Sequence, residues 1–141
     1  MIIVLDTNVV VSGILVPGGP PGKVVDLWVD GAFTVAVSPA LVEEYLGVLL
    51  RPKFRSAGSA EERAKILEAL LGLENTVTVL PKRPVDAVAE DPADNRVLEC
   101  AEASGAGCVV SGDRHLLALE RFGSAVIVSP ADFLKRFFGQ R

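Results

Sequence analysis

The chain has 141 residues, half of them hydrophobic and 23% charged, and a formal net charge of −4. That is the length of one domain, expected to span residues 1–141, and an apolar-rich globule of this size buries roughly 68–70% of its unfolded surface. No apolar stretch reaches the ~18 residues of a membrane span. The N-terminus carries no basic region and its apolar run is too short for a secretion signal, so a cytoplasmic protein without membrane partners is expected.

The first predicted element is a short buried strand, "IIVL" (2–5), which runs into Asp6. Further strands are expected over 33–37, 76–80, 107–111 and 124–128, five in all. Helical periodicity falls at about 21–30, 39–50, 60–72, 92–103, 113–121 and 130–138. Strands alternating with helices predict an α/β fold around a mostly parallel sheet, and parallel strands buried on both faces should read as the continuous apolar runs seen here. The segment "VPGGPPGK" (16–23) reads as a loop before a helix. It imitates a phosphate-binding loop, but Pro17 stands where a glycine is required and Val24 where Ser or Thr would hold a metal. Pro20 and Pro21 also lack the N–H groups that cradle phosphate.

Cys100 and Cys108 form no CxxC pair, which leaves two buried free thiols as the expected state, and His115 is the sole histidine. A His-rich zinc site is therefore excluded, and any metal must be held by oxygen, as hard ions such as Mg²⁺ or Mn²⁺ are.

Acids stand where such an ion could be held. Ligands of an open parallel sheet bind beyond the carboxyl ends of the strands. Asp6 follows the first strand and Asp113 follows "CVVSG", so both should share one edge, although each also suits an N-cap. In "EDPADNRVLECA", Asp91 is a natural N-cap and Pro92 a natural first helical residue. With the cap filled, Asp94 shares a face with Val97, Leu98 and Ala101, which favours a functional role over helix-dipole stabilisation alone. In "SPALVEEYLGVLLRPKF", Glu44 lies about 120° from the centre of the apolar stripe and Glu43 about 140°, which favours Glu44 as the acid turned inward. Four acids within about 5 Å would repel by roughly 3 kcal/mol per pair at an effective dielectric of 20, and divalent cations would resolve that repulsion.

"LDTNVVVSG", "VEEYLGVLLRPKF", "DPADNRVLECA" and "VVSGDRHLLAL" occur in the order and spacing of PIN-domain proteins. From Met1 to about Leu134 the chain resembles in particular the toxins of bacterial and archaeal toxin–antitoxin pairs, similar to VapC-type ribonucleases. The resemblance implies a Rossmann-like, three-layer sandwich with a mostly parallel five-stranded sheet, an acidic pocket for Mg²⁺ or Mn²⁺, and hydrolysis of RNA phosphodiester bonds. Carried over by position, Asp6, Glu44, Asp94 and Asp113 would be the metal-binding and catalytic carboxylates. Thr7, Asn8 and Ser111 would be supporting residues, with local turn hydrogen bonding as their plainer reading. His115 stands where many relatives keep another acid; it is read as a surface histidine or, more weakly, as a contact to substrate phosphate. An antitoxin partner and a homodimer are also implied.

If RNA is the substrate, basic residues must meet its backbone. Arg96 and Arg114, beside motif acids, are the first choices, with "RPKFR" (Arg51, Lys53, Arg55) next and Lys82 and Arg83 further off. A Ser111–Asp113–His115 hydrolase triad is discounted, because triads converge from separate segments. The alternative function is a catalytically silent PIN-like module that binds RNA or a partner protein. A phosphoacceptor receiver domain fits poorly: Asp6 stands alone, and "SAVIVSPADF" offers no lysine after the last strand.

Overall fold

Short runs of β-branched residues form the strands, and a polar cap followed by proline opens three of the helices between them. A computed structural model describes residues 1–88 and 91–139; Glu90, which opens the quoted "EDPADN" stretch, lies outside them. The strands are β1 (Ile2–Leu5), β2 (Thr34–Val37), β3 (Thr76–Thr78), β4 (Cys108–Val110), β5 (Arg121–Phe122) and β6 (Ala125–Val128). They form one sheet in the order β3-β2-β1-β4-β6-β5, parallel throughout except for the antiparallel β5–β6 pair. Helices α1 (Thr7–Leu15), α2 (Pro20–Val29), α3 (Pro39–Leu49), α4 (Ala60–Leu71), α5 (Pro92–Ser104), α6 (Arg114–Leu119) and α7 (Pro130–Phe138) flank it. The expected α/β architecture is present. Among the described residues, no helix is long and apolar enough to cross a membrane.

Three expectations are corrected. The sheet has six strands, not five. The helix expected to reach 121 ends at Leu119, where Glu120 takes a positive φ of 60°, and the chain then turns through Gly123 (φ 59°) so that Phe122 pairs with Ala125. A Gly-Ser pair between two apolar residues is a two-residue hairpin signal. The apolar run after Asp6 is helix α1, which the periodicity did not expose because Thr7, Val9, Val10, Val11 and Gly13 are buried and only Asn8 and Ser12, one turn apart, mark its polar side. A 3-10 helix also covers Pro52–Ala57, within the basic "RPKFR" stretch.

Helix starts fall within a residue of expectation because their punctuation is physical. Ser38–Pro39, Asp91–Pro92 and Ser129–Pro130 each place a side-chain acceptor at the N-cap and a residue without N–H at the first helical position. Ser59 and Glu62 form a reciprocal capping box at α4. The decoy loop likewise ends in a helix start, with Gly19 as N-cap and Pro20 first.

The core is continuous across the sheet, from Ile3, Val4 and Leu5 through Val35 and Val37 to Val109, Val110 and Ile127. Trp28 is fully buried and donates its indole N–H to Thr76 Oγ1 at 2.9 Å, tying α2 to the edge strand. Cys100 and Cys108 are free and buried, and burial pushes both thiols up to about 12, so neither is poised to react. Arg63 is 3% exposed, and its guanidinium donates to the carbonyls of Leu49 (2.6 Å), Arg51 (3.1 Å), Gly58 (3.1 Å) and Ser59 (3.3 Å). It thereby joins the end of α3, the 3-10 segment and the start of α4.

Helices α1 and α2 cross at Gly13. A Cβ there would lie 2.4 Å from Val25 Cγ2 and 2.7 Å from the Pro21 carbonyl oxygen, which is backbone and cannot step aside. Gly13→Ala is therefore expected to destabilise the fold by about 1–3 kcal/mol, as overpacking does. A urea midpoint equal to that of the parent would contradict this close packing.

Candidate metal centre

The sheet order reverses direction between β1 and β4, and a parallel sheet opens a crevice at such a point beyond its carboxyl edge. Asp6 leaves β1 at this crevice and Ser111–Asp113 leave β4, with the Asp6 amide donating to the Val110 carbonyl at 2.9 Å. Asp94 comes from the first turn of α5, which packs on β1, β2, β4 and α3. Glu44 comes from α3.

Asp6 is 4% exposed, and both of its oxygens are held. Oδ1 accepts from the Thr7 amide at 2.8 Å, and Oδ2 accepts from the Ser111 hydroxyl at 2.7 Å. Ser111, fully buried, in turn accepts from the Asp113 amide at 2.9 Å, so one hydroxyl orients the exits of both strands. Asp113 Oδ1 caps α6, accepting from His115 (2.7 Å) and Leu116 (3.2 Å). Tyr45, buried on α3, donates its hydroxyl to the Leu5 carbonyl and fixes that helix against the end of β1.

Asp91, Asp94 and Asp113 each present a carboxylate oxygen within 4.8 Å of the others. Asp94 is 4% exposed, and its Oδ2 has no hydrogen-bond partner among the described residues. Burial, reinforced by the charges of Asp6, Asp113 and Asp91, raises its pKa to about 8. Asp113 moves the opposite way. Burial favours its neutral form, but the amides of Leu116 and His115, proton sharing with Asp94 and the nearby imidazole outweigh burial and leave it below its ordinary value. Burial raises Asp6 as well, opposed by Ser111 and Thr7 and assisted by Asp113 and Asp91. Glu44 is half-buried and raised chiefly by burial. The Thr7 hydroxyl lies near enough to oppose that rise, although Thr7 Oγ1, itself buried, makes no well-formed hydrogen bond.

The four acids singled out in the sequence thus converge on one crevice, but not equally. Asp94 and Asp113 lie in the tight group, while Asp6 and Glu44 stand beside it and act on it through their charges. Of the supporting residues, Ser111 orients two carboxylates directly. Thr7 holds Asp6 through its backbone, and Asn8 is exposed on the first turn of α1. Sequence reasoning treated Asp91 as a cap only, and it missed Asn95. Asn95 is buried and grips Ala87 and Val88 through their amides (both 2.9 Å) and the Val88 carbonyl (2.8 Å). The "DPADN" spacing could have revealed Asp91, since cap and N3 positions face one another across a helix's first turn.

The basic residues divide. Arg51 and Arg96 line an open cleft of about 570 Å³ between α3 and α5 that also includes Glu43 and Glu44. Arg96 is already paired with Glu99 at 2.9 Å, and Arg83 makes a bidentate pair with Glu102 (2.9 and 2.8 Å). Arg114 is exposed and His115 half-buried at the crevice rim. A larger cleft of about 1190 Å³, bounded by α6, β6 and α7, contains none of the five clustered acids.

A Rossmann-like sheet with carboxylates gathered at its switch point defines the class of protein. The sequence pattern described as "PIN domain" matches residues 2–115, and the chain belongs to that family. An uncharacterised protein of Methanocaldococcus jannaschii is 31% identical over 117 residues, which are 83% of this chain and 74% of that protein. The crystal structure of VapBC2 from Rickettsia felis, bound to a DNA fragment from their promoter, has a similar fold. Its TM-score is 0.59 at 18% identity, covering 90% of this chain and 97% of that one. FitAcB from Neisseria gonorrhoeae is similar at a TM-score of 0.51 and 22% identity, over 92% and 98% of the two chains.

Proposed function

We propose that this protein is a divalent-cation-dependent endoribonuclease that hydrolyses RNA phosphodiester bonds, acting in the cytoplasm as the toxin of a toxin–antitoxin pair. One observation carries the reading: a buried Asp94 carboxylate, one of whose oxygens has no hydrogen-bond partner among the described residues, set among other carboxylates. A fold does not collect buried acids without a counter-charge or raised pKa values, and this one retains a raised pKa where the counter-charge would sit. The donor set is all oxygen, which suits Mg²⁺ or Mn²⁺. Asp6, Glu44, Asp94 and Asp113 would hold the ion or the water it orients.

A bound cation would supply Lewis acidity, making a water nucleophilic near neutral pH and stabilising charge on a phosphoryl oxygen. The protein's own residues prepare the place for this. Ser111 and the Thr7 amide fix the Asp6 carboxylate, and the amides at the start of α6 keep Asp113 ionised. Asp94 carries the exchangeable proton of the crevice and releases it when positive charge arrives. Arg114 and Arg51 offer cations to the RNA backbone at the rim, with His115 beside them. The toxin assignment is supported by the likeness of fold to VapBC2 and FitAcB, and an antitoxin partner and a homodimer belong to the same proposal.

Purified protein is expected to cut single-stranded RNA in Mg²⁺ or Mn²⁺. EDTA and Asp6→Asn should each abolish cleavage. Cutting that survives both would show that the nuclease activity does not come from this crevice.

A further inference from the structure

Asp91 caps α5, with Oδ1 accepting from the Ala93 amide at 3.1 Å. Capping alone does not account for its surroundings. A lone carboxylate at a helix N-terminus is stabilised by the helix dipole, but a second, buried carboxylate in the same turn and a third from β4 make each harder to ionise. All three nonetheless bring an oxygen within 4.8 Å of one another. Two further atoms point to a missing ligand in this crevice. Among the described residues, Asp94, 4% exposed, leaves Oδ2 unpartnered, and Thr7, 3% exposed, leaves Oγ1 unpartnered beside Glu44. Helix α5 also holds the earlier segment, where Asn95 clamps residues 87–88 and Glu99 accepts from the Val85 amide at 2.9 Å.

We infer that Asp91 is a direct ligand of the divalent cation, capping α5 with one oxygen and coordinating with the other. The inference rests on the cation-site reading above and deepens it: the ion is held chiefly by Asp91, Asp94 and Asp113, while Asp6 and Glu44 act from beside them. Cap and ligand are compatible because a carboxylate has two oxygens and a helix N-terminus asks for one.

The test is Mn²⁺ titration by calorimetry on the full chain, comparing the parent with Asp91→Asn and Asp91→Ser at 0.15 M and 1 M KCl. Asn and Ser cap helices as well as Asp does, and loss of the Asp91 charge relieves repulsion on Asp94, Asp6 and Glu44, so neither variant should unfold below the parent without metal. The affinity for Mn²⁺ is expected to fall at least tenfold in both variants at both salt concentrations. At 1 M salt the screening length is about 3 Å, so the part of the loss carried through solvent shrinks there while the part that comes from coordination persists. Parent-like affinity in Asp91→Asn, or a loss that disappears at 1 M KCl, overturns the role of Asp91 and leaves the site standing. A parent protein that takes up no Mn²⁺ overturns the cation site and this inference together.

Discussion

Asp94→Asn is expected to lower Mg²⁺- or Mn²⁺-dependent RNA cleavage by well over a hundredfold while making the metal-free protein more stable. The first effect follows from the place of Asp94 in the acidic group: residues that merely orient metal ligands cost 10–100-fold when lost, and a ligand should cost more. The second follows from its pKa. Burial and three neighbouring acids hold Asp94 at about 8 in the folded chain against an ordinary 3.8. Between those values the folded state keeps a proton that the unfolded state has released, so the contribution of this group to stability declines as pH rises through that window. Asparagine removes the titration and nearly preserves the shape. In EDTA, the melting temperature of Asp94→Asn minus that of the parent should widen from pH 4 to about pH 8 and level off above. A gap that is constant with pH, or a variant less stable than the parent at pH 8, would refute the electrostatic description of the crevice.

Arg63→Ala is expected to be the most destabilising single change away from the acids, at about 3 kcal/mol or more. The guanidinium is buried and satisfies four backbone carbonyls, including that of Leu49 at the end of α3. Removing it takes the donor from the buried Leu49 carbonyl and the half-buried Gly58 carbonyl, at about 1–3 kcal/mol for each one that water cannot reach, while the Arg51 and Ser59 carbonyls keep the amides of Phe54 and Arg63. For a chain of this size that lowers the melting temperature by roughly 10 °C. Arg63→Lys should recover only part of the loss, because one ammonium cannot reproduce the planar fork that reaches α3 and α4 together. The same bonds hold the Arg51 backbone at the cleft below Glu44, so the variant should also weaken RNA binding. An unfolding midpoint within about 0.5 kcal/mol of the parent, the range of ordinary surface substitutions, would mean that this junction carries little of the fold.

Much of the architecture was legible because its signals are local. Cap-and-proline pairs marked α3, α5 and α7, and apolar runs marked β1, β2, β4 and β6. The features that were not legible depend on tertiary context. Helix α1 hides its period because only Asn8 and Ser12 mark its polar side among apolar neighbours, and β5 exists only by pairing across a two-residue turn. At the site, capping and a place in the crevice are not alternatives. Asp6, Asp91 and Asp113 each cap a helix (α1, α5 and α6), and all three face the crevice that Asp94 enters from α5. Each of these three accepts from amides at the start of its own helix, which offsets part of their mutual repulsion. Asp91 was set aside because capping gave it a sufficient role. Only the distances among Asp91, Asp94 and Asp113 draw attention to it, and the sequence alone does not carry them.

The central claim is that this crevice holds a divalent cation and that Asp94 is indispensable to it. Calorimetric titration of Mn²⁺ into the parent and into Asp94→Asn at pH 8 tests it most directly. The account expects saturable binding to the parent, weakening as pH is lowered toward 6 because protons compete for Asp94, and no saturable binding to the variant. Superimposable isotherms for the two proteins, or no heat from either, would contradict it.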